Sequence, residues 1–132
     1  MENKRAHLEI IQGVINRLSH NSFLLKGWSV VIIAALFALS AANTTGKFAL
    51  LALLPAFVFW GLDGYFLRQE KLFRKLYDNV RVIEEDKIDF DMNTKTVDKE
   101  VDNWLWVAFS KTLFPFHGIL ILAIFVVFYW QE

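Results

Sequence analysis

Three long apolar stretches constrain this chain more than any other feature of its sequence. One runs over residues 112–131 without a charge, and the others cover 27–42 and 48–62. A helix needs about 20 mostly apolar residues to cross the ~30 Å hydrocarbon core of a bilayer. The third stretch satisfies this outright, and the first two do so if Lys26 snorkels and Asp63 is tolerated near an edge. The sequence therefore predicts an all-α integral membrane protein.

The pattern predicts one membrane domain over residues 1–132, and its parts follow in chain order. They are an N-terminal amphipathic helix (3–20), a first span (23–42), a second span (48–67), a helical cytoplasmic extension (68–103) and a third span (107–130). The apolar stripe through Leu8 and Ile15 predicts that residues 3–20 lie on the membrane, on another subunit or on the chain's own cytoplasmic part.

Helix boundaries are predicted from local signals. Asn21 and Ser22 are typical N-terminal caps for the first span, and Pro55 predicts a kink in the second. Residues 88–93 alternate apolar and polar side chains, which favours a short extended segment. Thr96 is predicted to cap a last helix that leads into the third span.

Basic residues are distributed very unequally around the spans, which predicts orientation. The loop between the first two spans carries only Lys47. Before the first span and between the second and third lie Lys4, Arg5, Arg17, Lys26, Arg68, Lys71, Arg74, Lys75, Arg81, Lys87, Lys95 and Lys99. We therefore expect a bacterial inner-membrane protein with a cytoplasmic N-terminus and a C-terminus outside.

A basic cluster follows the second span, and we predict that it binds a ligand. Its members are Arg68, Lys71, Arg74, Lys75 and Arg81. Such residues attract anionic lipid just inside a membrane. They equally suit the phosphates of a nucleotide or a single-stranded nucleic acid, with aromatic side chains nearby for stacking. The sequence leaves both ligands open.

Five residues within or beside the spans are candidates for gating or for lining a pore. Asp63 is a carboxylate inside a span, and we expect it to pair with Lys26 or Lys111. Pro115 and Gly118 predict a bend in the third span, and His117 lies between them. These residues form either structural contacts between helices or a gate.

The sequence offers little for catalysis or metal binding. It contains no G-x-S-x-G, H-E-x-x-H, phosphate-binding glycine loop or C-x-x-C motif, so we expect no enzymatic activity and no cofactor. Asp89, Asp91, Asn93 and Glu100 match ligand positions of an EF-hand loop, but Thr94 stands where that loop needs glycine. We therefore expect no metal site.

Two segments carry a resemblance to a known family. Residues 25–29 read LKGWS and residues 59–77 read FWGLDGYFLRQEKLFRKLY. They resemble the small three-span membrane effectors of bacterial antiphage defence systems of the Hailong type. The resemblance implies a homotetrameric ion channel, held shut by a single-stranded oligodeoxyadenylate that a partner nucleotidyltransferase makes. Loss of that ligand would open the channel and depolarise the cell.

From the residues themselves we expect a homo-oligomer in contact with membrane lipids, gated through its cytoplasmic region. The alternative is a non-conducting membrane anchor or scaffold that recruits a soluble partner through residues 68–103. Conductance separates the two, because a scaffold conducts nothing.

The charge asymmetry generates a topology prediction. A reporter fused after Glu132 should be active only outside the cytoplasm, and one inserted near Asn93 only inside. Paired fusions of an enzyme that works only outside and a fluorescent protein that matures only inside measure this. A cytoplasmic C-terminus would contradict the three-span topology.

Overall fold

A computed structural model describes residues 2–132, and regular structure within this range is entirely helical. The helices are α1 (Glu2–Ala42), α2 (Lys47–Leu51), α3 (Leu53–Arg81), α4 (Trp104–Ala108) and α5 (Phe114–Gln131). Single 3₁₀ segments cover Glu85–Lys87 and Lys95–Glu100. Three helical stretches are long and apolar enough to cross a membrane, namely α1, α2 with α3, and α5.

Helix α1 is continuous over 41 residues, or about 60 Å at 1.5 Å per residue. The expected boundary at Asn21 and Ser22 is therefore wrong, since both residues lie inside the helix. The Ser22 hydroxyl donates to the carboxylate of Asp63 instead of capping a helix terminus. Residues 3–20 are thus the first half of α1 rather than a separate helix.

The first half of α1 packs on the second half of α3. Ile11 and Ile15 are buried against Leu76 and Val80, and partly buried apolar side chains surround this pair of contacts. The backbone N–H groups of Asn3 and Lys4 donate to the Glu85 carboxylate over 2.8 and 3.1 Å, which satisfies free donors in the first turn of α1. The apolar stripe of residues 3–20 is therefore buried within the chain itself.

The second span is interrupted once. Ala52 separates α2 from α3, and its N–H donates to the carbonyl of Ala49, three residues back. Pro55 lies three residues further on and has no N–H to offer the carbonyl of Leu51, so the interruption agrees with the kink predicted there. Beyond it, α3 continues unbroken to Arg81, well past the predicted end of the span at residue 67.

Residues 82–103 are mostly irregular, so the predicted helical extension over 68–103 ends at Arg81. Residues 88–93 are non-helical, as expected of an extended segment, but they form no paired strand; the side chains of Asp89, Asp91 and Asn93 each accept a backbone N–H two residues further on. Such local bonds compete with strand pairing. Thr96 begins no long helix, because α4 starts after Asn103, whose side chain accepts the N–H of Trp106 over 3.1 Å.

The third span is shorter than predicted. A single helix over 107–130 is wrong, because α4 ends at Ala108 and α5 begins only at Phe114. Pro115 occupies the first turn of α5, where its missing N–H costs nothing. The eighteen residues of α5 extend about 27 Å, close to the thickness of the hydrocarbon core.

Two apolar clusters form the core, one beside the loop of residues 82–103 and one within the spans. The first joins α1 to the extension of α3, as described above. The second lies within the spans, where Ile33 of α1 meets Ala52, Ala56 and Ile124. At the far end, Gly46 fits against Phe128: a Cβ added there would meet its Cδ2 at 2.7 Å. Three helices are thereby packed side by side.

Candidate functional site

A polar cluster of four side chains joins the three helical stretches that are long and apolar enough to cross a membrane. Its members are Ser22 and Lys26 of α1, Asp63 of α3 and His117 of α5. Oδ2 of Asp63 lies 2.6 Å from Nζ of Lys26 and 2.8 Å from Nε2 of His117. Oδ1 accepts the Ser22 hydroxyl, and Lys26 also donates to Ser22 over 2.9 Å. Every carboxylate oxygen of Asp63 is therefore hydrogen-bonded.

Helical spacing brings these residues together. Ser22 and Lys26 are one turn apart, on the side of α1 that is buried further along at Ile33. Asp63 follows Ala56 by seven residues on α3, and His117 precedes Ile124 by seven on α5. Each polar side chain thus occupies a core position of its helix. The cluster continues the apolar packing of the spans toward the loop side, the side where residues 82–103 connect α3 to α4.

His117 is buried at 1% exposure and is held from two directions. Because a carboxylate only accepts hydrogen bonds, Nε2 of His117 donates to Asp63. The Trp60 indole stacks on the imidazole with ring centroids 5.7 Å apart and planes within 8°. Nδ1 is buried without a hydrogen-bond partner.

Of the five predicted gating residues, the structure brings Asp63 and His117 together in one hydrogen bond and leaves the other three outside it. Asp63 and His117 are brought together inside the subunit, at 0% and 1% exposure, so neither lines the subunit's surface. Lys111 is exposed, and within residues 2–132 it makes no ion pair, so Lys26 is the partner of Asp63. Pro115 and Gly118 lie in the first turns of α5, and the chain bends ahead of them, at 109–113.

The basic cluster does not form a single site in one subunit. Arg68 is 18% exposed and is committed to the loop: it donates to the Asp98 carboxylate over 3.0 Å and to the carbonyl of Asp102 over 3.0 Å. Arg74 lies 3.7 Å from Glu70, one turn earlier on α3. Arg81 and Lys75 are exposed and make no ion pair within the described chain. Arg68 therefore has a structural role, and the others are available to a ligand.

Two small cavities adjoin the basic cluster. One of about 270 Å³ is lined by Lys71, Arg74, Lys75, Asp78, Glu100, Val101 and Asp102. Another of about 270 Å³ lies between α1 and α3 and is lined by Gln12, Ile15, Arg74, Tyr77 and Asp78. Arg74 and Asp78 belong to both. Acidic side chains balance the basic ones in the first cavity, so a bound anion would rely on individual contacts rather than on a positive field.

The EF-hand positions also lie in the loop. Asp89, Asp91 and Asn93 direct side-chain oxygens to nearby backbone N–H groups. Across residues 2–132, no group of three or more His, Asp or Glu side chains is arranged to hold a metal ion.

Sequence reasoning missed two members of the site. Ser22 was expected to cap a helix, but Lys26 donates to its hydroxyl instead. The spacing of one helical turn between the two residues was the available signal. Trp60 was not among the candidate residues, but it packs on His117 and donates from Nε1 to the carbonyl of Ala108 over 2.7 Å. Its spacing of three residues from Asp63 was the available signal, since such residues share a helix face.

Comparisons with protein-family models, curated proteins and solved structures found no match.

The polar cluster generates a prediction about which lysine matters. Asp63→Asn should destabilise the detergent-solubilised protein by about 3–5 kcal/mol, because it leaves Lys26 and its neighbours without a buried counter-charge. In double-mutant cycles, Lys26→Gln should couple strongly to Asp63→Asn. Lys111→Gln should be additive with it within about 0.5 kcal/mol. Thermal or denaturant unfolding measures both cycles, and equal coupling to the two lysines would contradict this assignment.

Proposed function

We propose that this chain is one subunit of a homo-oligomeric ion channel, with α1 facing the central axis. The observation that carries this proposal is the exposed face of α1. Beyond Trp28, toward the hairpin, that face consists mainly of small residues: Val31, Ala34, Ala35, Ala38, Ala41 and Ala42. Nearer the loop side it also exposes Phe23 and Trp28, at 71% and 60%. Small residues let helices approach closely in lipid, where packing rather than hydrophobicity drives association.

The other two spans have a different outer surface. On α3, Leu54, Phe57 and Val58 are more than half exposed. On α5, Ile119 and Leu122 are exposed at 65% and 64%. Large apolar side chains of this kind suit contact with acyl chains. The contrast with the small residues of α1 beyond Trp28 favours an assembly with that part of α1 inside and the other spans toward lipid.

A water path requires more than one copy. The space between the three helices of a subunit is filled by the Ile33 cluster and by the hydrogen-bonded Asp63. Several copies around a closed symmetry axis could enclose a path between their α1 helices. A lining of valine and alanine would form an apolar constriction, which opens and closes by wetting and dewetting. A tetramer is the assembly that the resemblance implies.

The loop-side half of α1 carries polar groups on the same exposed face. Arg5, Glu9, Asn16, Arg17 and His20 are all exposed there. In the proposed assembly they would line an aqueous vestibule that leads to the constriction. The change from polar to small apolar residues along one helix face is typical of an entrance followed by a gate.

The proposed control is an anionic ligand bound at the loop side, a nucleotide or an oligonucleotide. Lys71, Arg74 and Lys75 would contact phosphates, and Tyr77 lies beside Arg74 in the adjoining cavity as a surface for base stacking. The α3 extension that carries these residues packs on α1 through Leu76 and Ile15. A ligand that shifts this extension would therefore shift the helix that lines the pore.

The ligand to test first is a single-stranded oligodeoxyadenylate, made by a partner nucleotidyltransferase. In this proposal the ligand holds the channel closed in the bacterial inner membrane. Its loss during phage infection opens the channel and depolarises the cell.

The absence of cysteine gives a direct test of the axis. Ala38→Cys should react with a cationic thiol reagent that lowers the current in planar bilayers, because its side chain lines the path. The same reagent should leave the current of the matched Leu122→Cys variant on α5 unchanged. No conductance from the unmodified protein would contradict the channel and favour a non-conducting anchor.

The ligand site is tested by charge reversal. Arg74→Glu with Lys75→Glu should abolish oligodeoxyadenylate binding, and should leave the cell depolarised without infection. If binding persists weakly, losing two phosphate contacts should reduce the slope of log K against log salt by about 1.4 for a single strand. The control reverses Lys87 and Lys95, which lie outside both cavities, and should bind normally. Unaltered affinity in the first variant would remove this site.

A further inference from the structure

The segment that joins the irregular loop to α5 exposes an apolar surface. Trp104, Leu105, Trp106 and Phe109, which we call the aromatic foot, are exposed at 45%, 58%, 71% and 56%. The opposite side of the same short segment is buried, with Val107 and Ala108 at 1% and 5%. Four large apolar side chains in six residues form a surface that water solvates poorly.

The foot is held rigidly against α3. Nε1 of Trp104 donates to the carbonyl of Gly61 over 2.9 Å, and Nε1 of Trp60 donates to the carbonyl of Ala108 over 2.7 Å. Gly64 leaves the space for this approach, since an added Cβ would lie 3.1 Å from Nε1 of Trp104. The position of the foot along the spans is therefore fixed by Trp60, Gly61 and Gly64 of α3.

That height lies just inside one edge of the bilayer. Gly61 and Gly64 are 14 and 17 residues after Lys47, or about 21–26 Å along the helix at 1.5 Å per residue. With a hydrocarbon core of ~30 Å, the foot comes within about 10 Å of the loop-side boundary. Interfacial helices insert their apolar side chains about 5–10 Å into that boundary.

The backbone and charge of the segment suit the same location. Three of the five N–H groups of residues 109–113, those of Phe109, Ser110 and Leu113, donate to backbone carbonyls of α4 or of the turn. Such internal hydrogen bonds lower the cost of placing non-helical chain near hydrocarbon. Lys111 is exposed next to the foot without an ion pair in the described chain. An ammonium at that height is complementary to a lipid phosphate.

We propose that the aromatic foot is a lipid-binding anchor, inserted into the loop-side leaflet with Lys111 against an anionic headgroup. Its apolar side chains meet the upper acyl chains. The hydrogen bonds from Trp104 to Gly61 and from Trp60 to Ala108 keep the foot beside the turn of α3 that carries Asp63. This inference depends on the spans crossing a membrane and not on ion conduction.

Single cysteines labelled with an environment-sensitive fluorophore test the location in proteoliposomes. Leu105→Cys and Trp106→Cys should give blue-shifted emission, quenched more by lipids with a nitroxide near the headgroup than by those with a nitroxide near the chain end. Leu122→Cys, about 12 Å along α5 from Phe114, should show the opposite order. Val82→Cys, exposed at 76%, should be quenched only by aqueous iodide.

Two results would overturn the proposal. Quenching of the Trp106→Cys label by iodide, as for Val82→Cys, would place the foot in water. Protection from both iodide and nitroxide lipids would mean that another protein chain covers it. Because Leu122→Cys reports insertion of the spans separately, either failure is distinguishable from a failure of the membrane topology.

The headgroup contact has its own test. Anionic phosphatidylglycerol should raise the unfolding temperature of the unmodified protein above its value in phosphatidylcholine, and Lys111→Gln should lose this shift. Lys99→Gln, on the exposed loop, should retain it. A shift that Lys111→Gln leaves unchanged would overturn the assignment of the phosphate to Lys111.

Discussion

Asp63 carries a negative charge within a helix that has the length and apolarity of a membrane span. Hydrocarbon offers no hydrogen bonds, so a buried carboxylate is tolerated only where protein groups replace water. Those groups come from both other spans, Ser22 and Lys26 on α1 and His117 on α5. Satisfying one carboxylate therefore fixes three helices at a common level.

The apolar packing on either side follows from that level. Toward the hairpin, Ile33 and Ile124 close the space between the spans. Toward the loop, α1 and α3 continue without a break and pack through Ile11 and Leu76. Because both helices run through the polar cluster, the membrane part and the loop-side part form one unit. A ligand bound at one end of such a unit can alter helix packing at the other, which is what the proposed gating requires.

The sequence predicted the apolar spans and a helical segment after the second one, because long apolar runs and helical periodicity are local properties. The predictions were wrong where a side chain or segment could make either a local or a long-range contact. Ser22 has the short hydroxyl typical of a cap, yet Asp63 provides a stronger acceptor than the local backbone. The third span was expected to begin at residue 107, since residues 104–109 are as apolar as the stretch that follows Lys111. Hydropathy does not distinguish a helix that crosses the bilayer from the short segment that packs on Gly61 and Gly64.

Taken alone, the sequence determined that this is an all-helical chain suited to a membrane, with a carboxylate in one span and two lysines able to reach it. It also indicated the buried face of residues 3–20, through Leu8 and Ile15, because spacing along a helix sets the direction of a side chain. Only the tertiary structure decided that Lys26 rather than Lys111 pairs with Asp63, and that His117 completes the pair. Spacing within one helix carries no information about the relative heights of different helices. Those heights are set by the packing of all three together.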